Sequence, residues 1–89
     1  MSKHKESIES FRNQLENEYE WPALYTFKFI VPQDKIAEVR TLFKMHDVSE
    51  RKSSKGAYIS LTSKIMAESS DQIIDIYVAA NKIEGIIAL

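Results

Sequence analysis

From Ala23 to Val31 the chain alternates: Tyr25, Phe27, Phe29 and Val31 fall on one side of an extended backbone, and Thr26 and Lys28 fall on the other. That is the two-residue period of a half-buried strand. A second alternating run, residues 57–67, sets Ile59, Leu61 and Ile65 against Tyr58, Ser60, Thr62 and Lys64. Elsewhere the period is helical. Ile8, Phe11 and Leu15 recur three and four apart within residues 5–18, one narrow apolar stripe. Ile36, Val39, Leu42 and Phe43 predict a second helix running to about Met45. Ile73, Ile76, Tyr77 and Ala80 predict a third, opened by the capping box Ser69-x-x-Gln72 and closed by Asn81 as a left-handed stop.

Shorter segments complete the order. Pro22 stands where a strand can begin without that N–H, and Pro32 ends the strand. Residues 47–54 have weak strand character, with Glu50, Arg51 and Lys52 as the charges that blunt a sheet edge. Lys55-Gly56 is the hairpin turn that follows. Residues 83–89 close the chain as an apolar edge strand with Ile83, Ile87 and Leu89 on one face. After the first helix the order is therefore β-α-β-β-α-β. This is an α+β, ferredoxin-like sandwich: one antiparallel four-stranded sheet, both helices on one face, the first and third strands central. Residues 1–20 form an N-terminal helical extension and residues 21–89 the domain. The extension's stripe is expected to dock, either on the open sheet face, where parity places Leu24, Ile30 and Ile86, or in the groove of a second copy.

Composition changes this picture little. A chain of 89 residues buries only about 60–65% of its unfolded surface, enough for one small core. There is no cysteine, so disulfides, thiolate metal sites and cysteine nucleophiles are out, which fits a reducing compartment. The first twenty residues are polar and acidic and no long apolar run occurs, so neither a signal peptide nor a membrane span is expected, and the location expected is cytoplasmic. Net charge is −1 but uneven: residues 1–20 carry three Lys/Arg and five Glu, residues 21–67 eight basic and four acidic, residues 68–89 one and four.

Catalytic and metal chemistry lack parts. His4 and His46 are far apart in sequence, too few for a zinc site or a Ser/His arrangement. Ser49-x-x-Lys52 has the spacing of serine-lysine acylating enzymes but sits on an edge strand rather than at a helix start. With two glycines in the chain there is no phosphate loop. No enzyme, cofactor or metal is expected.

The Lys55-Gly56 pair opening a strand that carries Tyr58 invites comparison with the RNA recognition motif, which has this topology. Parity argues against it. In that motif the third and fifth residues, counted from the basic one, are aromatics on the open face, and here they are Ala57 and Ile59. Tyr58 takes the fourth place, and turning residues 57, 59 and 61 outward would bury Ser60, Thr62 and Lys64.

Together "WPALYTFKFIVP", "SSKGAYISLTSKIM", "SSDQIIDIY" and "IEGIIAL" resemble the YbeD-like family of small bacterial proteins of unknown function, over residues 21–89. The resemblance implies a ferredoxin-like fold similar to the ACT regulatory domains, which bind amino acids or related effectors at interfaces between copies. The ACT ligand sites commonly use a glycine after the first strand, where this chain has Val31-Pro32-Gln33-Asp34. The function so implied is a non-catalytic regulatory or protein-interaction module, self-associating and meeting a protein or small effector. The alternative is a weak nucleic-acid binder using Arg51, Lys52 and Lys55. Candidate binding residues are Ser53, Ser54, Lys55, Gly56 and Tyr58.

Overall fold

A computed structural model describes residues 3–43, 46–54 and 56–89, with side chains from residue 7 onward. Helix α1 spans Lys3–Glu18 and strand β1 Ala23–Pro32. A single 3-10 turn, Gln33–Lys35, leads into α2, Ile36–Leu42. Then come β2 (Val48–Lys52), β3 (Tyr58–Ala67), α3 (Ser70–Asn81) and β4 (Ile87–Ala88). The four strands form one antiparallel sheet in the order β2-β3-β1-β4, the expected ferredoxin-like arrangement with the extra N-terminal helix. Met45, where the second helix was expected to end, lies outside the described residues.

The alternation fixes the sheet's two faces. β1 and β3 pair along ten residues, from Ala23 opposite Ala67 to Pro32 opposite Tyr58. On one face Phe27, Phe29, Val31, Leu61, Ile65 and Ala67 are almost wholly buried against Val39 and Phe43 of the α2 segment and Ile73, Ile74 and Ala80 of α3. Ser63 interrupts this apolar row, and its hydroxyl is satisfied by donating to the Asp47 carbonyl at 2.9 Å, which removes the cost of burying it.

Helix α1 docks, but not where parity suggested. Leu15 is only 2% exposed and belongs to the common core, while Phe11 meets Tyr77 of α3 edge-on, ring centroids 5.5 Å apart. Arg12 pairs with Asp71 at the start of α3. Glu16 accepts hydrogen bonds from Ser70 and Trp21, which hold its carboxyl below the usual range. The helix thus lies beside α3 on the helical side of the sheet, and the open face stays uncovered. On that side the stripe meets apolar partners: Phe11 packs on the Tyr77 ring and Leu15 enters the common core, beside the half-buried Tyr19, Trp21 and Tyr25.

Three other expectations change. Ser69 caps α3 through its hydroxyl, accepting from the Gln72 N–H, but the returning Gln72 side chain accepts from Glu68 N–H at 2.8 Å rather than from Ser69. Asn81 is not a left-handed stop: the cap residue Lys82 is right-handed, and hydrogen bonds from Lys82 and Ile83 back to Ala79 and Ala80 tighten the exit. The left-handed position is Gly85, at φ +83°. That turn shortens the last strand to Ile87–Ala88 and resets its parity. Ile83 and Ile86 pack against the core, whereas Ile87 faces outward opposite Ile30.

Candidate interaction surface

The hairpin between β2 and β3 is built from the predicted residues. Lys52 pairs with Ile59, the Ser53 N–H donates to the Tyr58 carbonyl at 2.9 Å, and Gly56 N–H donates back to the Ser53 carbonyl at 3.0 Å. Gly56 sits at φ +74° with open space where a Cβ would be, so the turn selects glycine for conformation and not for crowding. Ser53 also accepts from the Tyr58 N–H through its hydroxyl, which commits it to closing the loop. Ser54 is exposed at the tip. Lys55 lies outside the described residues. The structure therefore brings Ser53, Gly56 and Tyr58 together as a backbone-bonded turn, with Tyr58 47% exposed on the open sheet face.

That open face has a definite chemistry. Register carries Leu24, Thr26, Lys28 and Ile30 of β1 onto it, with Ser60, Thr62, Lys64 and Met66 of β3 and Ser49 and Arg51 of β2. Ile87 of β4 joins them beside Ile30. The rows run Leu24–Met66, Thr26–Lys64, Lys28–Thr62–Ser49 and Ile30–Ser60–Arg51, ending at Pro32–Tyr58. Its charged side chains are Lys28, Lys64 and Arg51, and no strand position on this face is Asp or Glu. Glu50 points the other way, to α2, where Arg40 holds it in a two-bond pair at 2.5 and 2.6 Å and keeps its carboxyl below the ordinary range. Lys28 and Lys64 were legible as outward-facing from alternation, but their convergence with Arg51 and Leu24 depends on strand register, which the sequence alone does not state.

On the opposite side a cleft of about 720 Å³ opens between α1, α3 and β4, lined by Ile8, Phe11, Tyr25, Tyr77, Val78 and Leu89 among others. Its polar floor is a hydroxyl pair, Tyr25 and Tyr77, 3.1 Å apart. Burial first, and the Tyr25 hydroxyl second, push the Tyr77 phenol well above its usual range, so it stays neutral at physiological pH and supplies hydrogen bonding rather than acid–base chemistry. Among the described residues, no three His, Cys, Asp or Glu side chains are grouped to hold a metal ion. Nor is any helix among them long and apolar enough to cross a membrane.

Fold and surface define a small α+β sandwich of ferredoxin-like topology, extended by one helix and open on one sheet face. Residues 16–89 match the family described as "Protein of unknown function (DUF493)", and the chain belongs to that family, the YbeD-like proteins. UPF0250 proteins from two Haemophilus influenzae strains, Rd and PittEE, are each 34% identical over 87 residues, covering 90% of this chain and 95% of the relative. A UPF0250 protein of Haemophilus ducreyi is 32% identical over 80 residues, 82% of each chain. No solved structure matches.

Proposed function

We propose that this chain is a non-catalytic, regulatory interaction module of ACT-like type, and that its working surface is the uncovered face of the sheet. One observation carries the proposal. Among the described residues, four of the six most exposed large hydrophobic side chains, Leu24, Tyr58, Met66 and Ile87, lie on this one face. Leu24 and Met66 form a cross-strand pair, each 56% exposed. Scattered surface hydrophobes need no explanation, whereas exposed apolar side chains concentrated on one face of a small domain mark contact surfaces.

We assign self-association, as ACT-like modules practise it, to the β4 edge rather than to the face. Stacking two open faces would bring Lys28, Lys64 and Arg51 of both copies together, and like charges brought into register are repulsive. β4 is an outer strand with one free side. The test of the face is a comparison of proteins retained from source-cell lysate by the wild type and by a Leu24→Ser, Met66→Ser variant. Both side chains are more than half exposed, so the variant keeps its fold. Partners lost by the variant support the face as the working surface; an identical set retained by both overturns it.

A further inference from the structure

On the strand positions of the uncovered face the charge is of one sign. The whole chain carries 12 basic and 13 acidic residues, yet the face shows Lys28, Lys64 and Arg51 with no carboxylate on its strand positions. Of the 13 acidic residues, Glu9 and Glu16 lie on α1, Asp71 and Asp75 on α3, and Glu50 is turned toward α2, while Glu68 follows the last residue of β3. Among the described residues the ion pairs are made by Arg12, Lys35 and Arg40, and none of the three cations on the face takes part in them. Around these cations stand hydroxyls, Thr26, Ser49, Ser60 and Thr62. Aliphatic pairs flank them, Leu24–Met66 at one end and Ile30–Ile87 at the β4 corner.

Deepening the interaction-module reading and resting on it, we propose that this face binds an acidic amphipathic segment of another protein. Its carboxylates meet Lys28, Lys64 and Arg51, and its apolar side chains seat on the two aliphatic pairs. The register sets the scale. With strands about 4.8 Å apart and residues about 3.3 Å apart along them, Lys28 and Lys64 stand about 8 Å from each other and Lys28 and Arg51 about 12 Å. The Leu24–Met66 row lies about 20 Å from the Ile30 row, the length of a helix of about 13 residues. Carboxylates one and two turns apart on such a helix, about 5 and 11 Å, lie within reach of these long, flexible cations.

Other occupants fit less well. A second copy presenting the same face opposes cation to cation. Nucleic acid matches the charge but not the neighbours, because sequence-tolerant binding of single strands uses several rings as stacking platforms. This face has one, Tyr58, at its far end, and aliphatic side chains where rings would be needed.

The test uses the full chain, labelled with nitrogen-15, titrated with two synthetic helical peptides of identical leucine pattern, one bearing glutamates and the other lysines, and with oligouridine. The glutamate peptide is expected to shift the amides of Thr26, Lys28, Ser60, Thr62 and Lys64, while the lysine peptide leaves them in place. A Lys28→Glu, Lys64→Glu variant should bind the glutamate peptide at least tenfold more weakly, and Lys82→Glu, away from the face, should bind it as the wild type does. Equal binding of both peptides, or shifts confined to α1 and α3, overturns the proposal. Tighter binding of oligouridine at the same amides overturns it too and makes the face a nucleic-acid surface. Should the glutamate peptide fail while the Leu24→Ser, Met66→Ser variant still loses lysate partners, the acidic chemistry falls and the interaction module stands. Failure of both removes both.

Discussion

Truncating Leu15 to alanine isolates what α1 contributes. The side chain is 2% exposed and shares the core with Phe27 and Ile73, although it comes from a helix whose other apolar residues, Ile8 and Phe11, are only half-buried. Buried Leu→Ala changes cost about 2–5 kcal/mol from lost transfer energy and the cavity left behind. A chain of this size has about 5–15 kcal/mol in total, so the loss is a sizeable share. There is a ceiling, however: a variant that merely releases α1 cannot lose more than the helix's docking free energy. Urea unfolding reads the result, and with a slope of about 1.5 kcal/mol per molar the midpoint should fall by about 1.3–3.3 M. Amide exchange separates the two routes. Release of the helix speeds exchange across residues 8–15 and leaves β1 and β3 slow, whereas a cavity in a still-docked helix weakens protection throughout. A change under about 0.5 kcal/mol, the range of ordinary surface substitutions, with unprotected amides in the wild-type helix, would falsify docking.

Further outcomes follow from single positions. Gly56→Ala should cost about 1–2 kcal/mol from its left-handed backbone alone, whereas Gly85→Ala should cost more, because its Cβ would also come within 2.9 Å of the Pro32 ring; equal thermal shifts for the two would show that β1 yields freely at Pro32. The Arg40–Glu50 pair contributes through a carboxyl whose folded value lies below its ordinary 4.5, so its stabilisation is present above that value and disappears as pH falls through the lower folded one. Glu50→Gln should therefore flatten part of the acid limb of stability, with only a small loss at neutral pH because exposed pairs are screened by solvent; an unchanged acid limb would deny the pair any part in it. For self-association at the β4 edge, light scattering at tens of micromolar should give a mass above the monomer that Ile87→Asp returns to the monomer, and a concentration-independent monomer for the wild type rules it out.

The long strands were legible because period two assigns each residue to a face before any partner is known. Once Phe27 and Phe29 are inside, Thr26 and Lys28 must be outside, and β3 follows the same logic. The final segment was less legible for a physical reason. "IEGIIAL" has the composition of a strand throughout, but a glycine's φ is set by what surrounds it. Here Gly85 takes the left-handed region beside the Pro32 ring, just after the tightened exit of α3, where β4 is short and Ile86 turns inward. Docking of α1 was half legible: the stripe Ile8, Phe11, Leu15 says that apolar surface receives the helix, and nothing local says which. Of the candidate site residues, Gly56 could be placed in a turn from its neighbours, whereas the gathering of Arg51, Lys28 and Lys64 needed the pairings of three strands.

The lysines of the open face admit two physical roles, and these can be separated. A polar residue at an outward position specifies register, because a one-residue slip would carry it into the core; Lys28 and Lys64 oppose Thr62 and Thr26, so slipping either strand would bury an unpaired ammonium. Glutamine at both positions preserves that penalty, since an unpartnered buried amide is also expensive, but removes the charge an acidic partner would meet. Lys28→Gln with Lys64→Gln should therefore unfold within about 0.5 kcal/mol of the wild type, as exposed substitutions usually do. Its binding of the glutamate peptide should fall severalfold and lose most of its dependence on salt, because screening acts on exposed charges. A variant that binds undiminished while its strands lose amide protection would mean that the lysines serve the sheet and not a partner. Intact protection with weakened, salt-insensitive binding would assign register to the polarity of these positions and recognition to their charge.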